Sequence, residues 1–173
     1  MKRTLLTLAF LFALLTPAFA QSGATVTVGA FATTNAGNTI TFNRDNIGLA
    51  LAGSYSFRGL TVGGEGAGND GRAARSRYFG TFDAYTWRGF HLAAGGGYWR
   101  FGATGGGFGQ ASVKYDRLAL WGRYGDKNFA EGEGSFAVLK LDHVAVRPFY
   151  RFSRHGDLTR QNFHSAGLYL DLR

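Results

Sequence analysis

Between Asn46 and Phe57 the chain alternates large and small side chains with a period of two. Ile47, Leu49, Leu51, Tyr55 and Phe57 fall on one side, and Gly48, Ala50, Ala52, Ser54 and Ser56 on the other. Only an extended strand puts successive side chains on opposite faces; a helix repeats every 3.6 residues. The same period returns in Val144, Val146, Pro148, Tyr150 and Phe152, set against Arg147, Phe149, Arg151 and Ser153. It returns again in Ala166, Leu168, Leu170 and Leu172, set against Ser165, Gly167, Tyr169 and Asp171. After residue 20 no window keeps a helical period for three turns. A chain patterned in this way folds as a sheet whose strands separate two environments.

The punctuation is as regular as the strands. Four connections join apolar or aromatic residues across two central positions: Phe57-Arg58-Gly59-Leu60, Trp87-Arg88-Gly89-Phe90, Tyr115-Asp116-Arg117-Leu118 and Leu141-Asp142-His143-Val144. Two-residue loops between alternating runs are hairpins. Longer connections rich in Gly, Asn, Asp and Arg are expected near 33–45, 68–77, 102–109, 125–134 and 154–161. Short and long connections therefore alternate. The spacing predicts ten strands, over 24–33, 46–57, 60–67, 78–87, 90–101, 110–115, 118–124, 135–141, 144–153 and 162–173. Several of these are short for a tilted membrane crossing of about 9–11 residues, so Gly-rich ends must extend them. Eight strands result if one weak hairpin lies outside the sheet.

The start of the chain belongs to a different pattern. Met1-Lys2-Arg3 is cationic, Thr4 to Leu15 is apolar, and Ala18-Phe19-Ala20 has the A-x-A form of a cleavage site. This is a secretory leader over 1–20, followed by one domain over 21–173. Export makes nucleic acid a poor partner in spite of a formal charge of +8. The 16 Phe, 8 Tyr and 3 Trp, with charged residues at only 17 %, exclude a disordered chain. No Cys means no disulfide framework, thiolate metal site or Cys nucleophile. No cofactor is implied.

Facing can be carried from strand to strand across two-residue turns, because the flanking residues lie opposite each other. Ala111, Val113, Tyr115, Leu118, Leu120 and Tyr124 then share one face, and Gln110, Ser112, Lys114, Trp121 and Arg123 the other. In the next hairpin Ala137, Leu139, Leu141, Val144, Val146, Tyr150 and Phe152 form the apolar face; Lys140, Arg147 and Arg151 oppose them, with Phe136 and Phe149 interspersed. Glu65 opposes Leu60 and Val62. The fold class that accommodates this is an all-β, antiparallel up-and-down meander closed as a transmembrane barrel, with lipid on the apolar face and a polar interior. Near Trp87 the pattern is unclear, since Asp83, Tyr85 and Trp87 share a parity. A secreted soluble lipocalin-like barrel, with the apolar face inward, is the alternative. Aromatics near strand ends and small residues on the opposite face favour the membrane barrel.

On these features the chain resembles the small outer-membrane β-barrels of diderm bacteria, porin-like or OmpA-like, over its whole mature length. The resemblance places the long loops outside, and both termini with the short turns in the periplasm. It also implies a C-terminal signal for the barrel-assembly machinery, matched by Ser165, Gly167, Leu170 and Leu172, although the chain ends Leu172-Arg173 where many members end on Phe. Outer-membrane lipid and that machinery are the implied partners. His164-Ser165-Ala166-Gly167 faintly resembles the His/Ser stretch of lipid A deacylases. Adjacent residues of a strand point to opposite faces, however, which separates a base from its nucleophile.

No other catalytic constellation stands out. Asp142-His143 lies in a turn, His155 with Asp157 in an expected outer loop and His91 beside a turn, without metal-ligand spacing. The interior charges are expected to be Glu65, Asp83, Asp171, Lys114, Arg123, Lys140, Arg147 and Arg151, with cations in excess. They line a narrow anion path or, in a barrel this small, pair in a plugged lumen. Arg72, Arg75 and Arg77 in one expected outer loop, with Arg154 and Arg160 in another, are candidates for contact with anionic surface glycans or small anions. A structural, surface-interaction or narrow-pore role is expected ahead of an enzymatic one.

Overall fold

The computed structural model describes residues 23–35, 47–69, 75–155 and 162–173. The chain runs through β1 (Ala24–Asn35), β2 (Ile47–Phe57), β3 (Leu60–Asn69), β4 (Arg75–Trp87), β5 (Phe90–Phe101) and β6 (Thr104–Tyr115). It continues through β7 (Leu118–Gly125), a short 3-10 turn (Asp126–Asn128), β8 (Phe129–Phe136), a two-residue β9 (Leu139–Lys140), β10 (Val144–His155) and β11 (Asn162–Leu172). Each long strand pairs antiparallel with the next, and β1 returns to β11 from Val26↔Leu172 to Asn35↔Phe163. That last ladder closes a ten-strand up-and-down barrel and leaves the sheet without an open edge. The leader over 1–20 lies outside the described residues.

Glycine-rich segments that read as loops are strand. β6 begins at Thr104, so 102–109 contributes only a tight connection at Gly102-Ala103. β8 begins at Phe129, which shrinks the expected 125–134 loop to three residues. β3 and β4 likewise extend into 68–77. Close approach accounts for some of these glycines: a Cβ at Gly106 would lie 2.8 Å from Asp126 Cβ, and one at Gly125 2.1 Å from Gly107 O. In other strands inward aromatic rings make the same demand. A Cβ at Gly29 would lie 2.5 Å from the Tyr169 ring, one at Gly48 2.5 Å from Phe31, and one at Gly97 2.8 Å from Phe108. Glycine here marks close approach of backbone to ring.

Two of the turns have type I′ geometry, with positive φ at both central residues: Arg58 (50°) and Gly59 (81°), then Arg88 (44°) and Gly89 (82°). Their twist matches that of the strands they join. In β4 the pairing register shifts between Asp83 and Tyr85, which inserts Ala84 as a bulge. The bulge resolves the ambiguity near Trp87. Asp83 faces inward with Thr81, whereas Tyr85 and Trp87 pair with Leu92 and Phe90 on the outer face. The Asp83 N–H donates to Gly59 O at 2.8 Å, which fastens the bulge to the neighbouring turn.

A second irregularity changes the expected facing of the 135–141 segment. Phe136 and Val138 are outward and exposed, and Ala137 is buried, the reverse of the assignment from simple alternation. The Ala137 N–H bonds to Arg117 O, while the Val138 N–H bonds to Val146 O; the chain changes partner strand between them. Phase is restored at Leu139, which pairs with Val146.

The outer surface carries Leu49, Leu51, Leu60, Val62, Phe82, Leu118, Leu120, Leu168 and Leu170, all exposed. Tyr78, Tyr98 and Tyr124 extend it toward the loop end, and Phe57, Trp87 and Tyr115 toward the turn end. Apolar side chains bounded by aromatics form a surface suited to hydrocarbon between two interfaces. The fold is a transmembrane β-barrel.

Candidate functional site

The functional candidate is the lumen, where strand alternation collects polar groups away from lipid. At mid-height three carboxylates and three guanidiniums meet. Glu65 Oε1 accepts from Arg77 Nη1 at 2.8 Å and from Arg123 Nη1 at 2.9 Å, with Arg151 Nη1 at 3.6 Å. Arg77 also bonds Glu131 through Nη2. Arg151 donates to Glu133 from Nε (2.9 Å) and Nη2 (2.8 Å), and Nη2 reaches the Tyr169 hydroxyl at 2.7 Å. Tyr169 in turn donates to Glu133 at 2.9 Å. Arg123 Nε donates to Gln110 at 2.6 Å. The lattice crosses the lumen from β3 and β4 to β7, β8 and β10.

Aromatic faces sandwich these cations. The Arg123 guanidinium carbon lies 4.2 Å from the Trp121 ring centroid and 5.2 Å from that of Phe108; Arg151 lies 5.1 Å from Trp121. Such contacts stabilise a desolvated cation through the ring quadrupole. Toward the loop end Trp99 stacks on Phe129 at 5.0 Å, next to Phe108. On the far wall Phe149 stacks on Tyr169 at 4.0 Å, beside Phe31.

Below the lattice the lumen opens into a cavity of about 500 Å³. Thr25, Ser54, Ser56, Thr61, Asp83, His91, Ser112 and Lys114 line its walls. Arg147 stands at its side, donating to Asp171 from Nε (2.5 Å) and Nη2 (3.0 Å), and to Ser135 at 2.7 Å. Thr27 adds a third donor to Asp171 at 2.7 Å.

Several candidates fall elsewhere than alternation placed them. Arg75 and Arg77, assigned to an outer loop, belong to β4 and are buried inside; β4 starts earlier than the loop-like composition implied. Glu131 and Glu133, read as loop residues, face inward on β8. The expected cationic excess therefore nearly vanishes: Arg75, Arg77, Lys114, Arg123, Arg147 and Arg151 stand with Glu65, Asp83, Glu131, Glu133 and Asp171. Lys140 pairs with Ala145 on the short β9 and is exposed, so it takes no part in the lattice. Arg154 is exposed near the loop end of β10, while Arg72 and Arg160 lie outside the described residues. The side chain of His155 and the whole of Asp157 do too.

His164 and Ser165 diverge. Ser165 is buried and shares a hydrogen bond with Thr33 at 2.9 Å, whereas His164 bonds the hydroxyl of the outward Tyr150 and packs against Phe152. A base on the outer face cannot take a proton from a nucleophile inside. At the C-terminus Ser165 and Gly167 face inward, Leu170 faces outward and Leu172 continues its parity. A Cβ at Gly167 would meet Ala30 O at 2.2 Å and Phe31 Cβ at 2.8 Å, so closure against β1 itself requires glycine there. Among the described residues no group of three His, Asp or Glu side chains is placed to hold a metal ion.

No protein-family model and no curated protein matches the chain. Among solved structures it is similar to Neisserial surface protein A, with 13 % identity and a TM-score of 0.43, covering 87 % of this chain and 97 % of that one. It is similar to the KdgM porin at 10 % identity and a TM-score of 0.48, over 83 % of this chain and 97 % of the porin. A de novo designed protein, TMB2.3, is similar at 15 % identity and a TM-score of 0.42, over 88 % and 94 %.

Proposed function

We propose that the protein is an exported outer-membrane barrel whose lumen is closed at mid-height, with a structural or surface-interaction role. One observation carries this reading: the lattice of Glu65, Glu131 and Glu133 with Arg77, Arg123 and Arg151 spans the lumen. An open pore needs mobile water along its axis, whereas here the charges saturate one another and rings pack above them. In this reading 1–20 is the cleaved leader, and the last strand carries the assembly signal at Ser165, Gly167, Leu170 and Leu172. Outer-membrane lipid covers the apolar band, and export leaves nucleic acid out of reach.

Planar-bilayer recording tests the closure. The unaltered protein is expected to give no steady conductance, and Arg147→Glu with Arg151→Glu to lower its stability. Steady anion-selective current from the unaltered protein, weakened by the same changes, overturns the closed lumen in favour of a narrow pore.

A further inference from the structure

Two of the two-residue turns place arginine where the backbone does not favour it. The first central residue of a type I′ turn has a positive φ, which suits Asn, Asp and Gly. The turn between Tyr115 and Leu118 follows that preference, with Asp116 at φ 47°. The turns after Phe57 and Trp87 do not: Arg58 has φ 50° and Arg88 has φ 44°. A Cβ in this region is crowded against the following carbonyl, so turn geometry gives no reason for arginine at either place.

Each of these arginines follows an outward aromatic residue at the turn end and lies over its ring. The Arg58 guanidinium carbon is 5.2 Å from the Phe57 ring centroid, and that of Arg88 is 5.0 Å from Trp87. Both arginines are exposed. Among the described residues neither forms an ion pair with a carboxylate. Asp83 stands beside Gly59, but it faces the lumen and makes no ion pair with Arg58. The other two turns carry carboxylates of their own, Asp116 next to Arg117 and Asp142 next to His143. Aromatic rings at a membrane interface sit at headgroup depth. A guanidinium held over such a ring is therefore level with the lipid phosphates. Its edge N–H donors remain on offer, and a phosphate takes them two at a time.

We propose that Arg58 over Phe57 and Arg88 over Trp87 form two sites for the phosphate of anionic phospholipid headgroups, in the leaflet that receives the two-residue turns. A zwitterionic headgroup brings a cation of its own toward these arginines, so the anionic class is preferred. The sites rest on the transmembrane fold and do not depend on whether the lumen is closed.

The test uses the mature barrel in non-ionic detergent, offered equal amounts of phosphatidylglycerol and phosphatidylcholine of the same chain length. Native mass spectrometry reads which lipid stays bound. Phosphatidylglycerol is expected to be retained severalfold over phosphatidylcholine. Arg58→Asn with Arg88→Asn is expected to lose that excess while folding at least as well, because Asn-Gly is a favoured type I′ pair. Arg117→Gln with Lys140→Gln, which removes exposed charge from the same end, is expected to keep it. Equal retention of the two lipids by the unaltered protein, or an unchanged excess in the asparagine variant, overturns the sites. So does an equal loss in the glutamine variant, since general charge would then account for the preference. Should the asparagine variant not fold, Trp87 in the unaltered protein decides the matter in mixed vesicles of the two lipids. Stronger quenching when bromine is carried by phosphatidylglycerol than by phosphatidylcholine supports the proposal, and equal quenching overturns it.

Discussion

Glu65 shows how much of the lumen depends on single atoms. One of its oxygens accepts from two guanidiniums and faces a third, so Glu65→Gln leaves Arg77 and Arg123 short of a counter-charge inside the barrel. Removing one member of a buried pair costs about 3–5 kcal/mol. Urea unfolding of the refolded barrel is expected to show a loss of that order, and a change near zero would mean that water already screens the lattice. Glycine acts at the same scale. A Cβ at Gly97 would lie 2.0 Å from Tyr78 O, a backbone atom that cannot move aside alone. Gly97→Val is therefore expected to abolish the compact, fast-migrating gel species seen without boiling, whereas a substitution at Gly80, where a Cβ meets nothing within 4 Å, leaves it intact.

At the scale of elements, the bulge in β4 sets the facing of an entire hairpin end. Were Ala84 paired as an ordinary strand residue, Asp83 and Trp87 would share a face, and either Asp83 would enter lipid or Trp87 would enter the lumen. Deleting Ala84 makes Asp83 and Tyr85 consecutive without changing the facing of either, so the deletion, like Ala84→Gly, is expected to retain the folded fraction in vesicles. Loss of folding on deletion alone would show that the bulge does more than absorb one extra residue between the two facings. The same element marks the limit of reading by alternation. Parity transfers well through two-residue turns, as it does for Lys114 and Arg123, because such turns fix the register. It fails where an unpaired residue is inserted, at Ala84, and where the chain changes partner strand, at Ala137-Val138. Neither event has a distinctive composition, so nothing in the residues announced it.

For the molecule as a whole, a meander of ten strands was legible from turn spacing and period, because each turn type limits the pairing on either side. The lumen was only partly legible. Glu131 and Glu133 alternate with Gly132 and Gly134, and small residues next to charges resemble a loop. Arg75 and Arg77, in the Arg- and Gly-rich run 68–77, have the same loop-like composition. Half of the central lattice was therefore assigned to solvent, and the interior looked more basic than it is.

The central claim is that the apolar face of this sheet meets lipid and the charged face meets itself. The chain carries three tryptophans, Trp87, Trp99 and Trp121, and they divide between the two faces. Trp87 is outward and 57 % exposed; Trp99 is buried over Phe129, and Trp121 faces the lumen beside Arg123. Single-tryptophan variants refolded into vesicles containing bromine-labelled lipid read these positions directly. Quenching of Trp87, with Trp99 and Trp121 left bright, is the predicted result. Strong quenching of Trp99 and Trp121, with Trp87 unaffected, would contradict it.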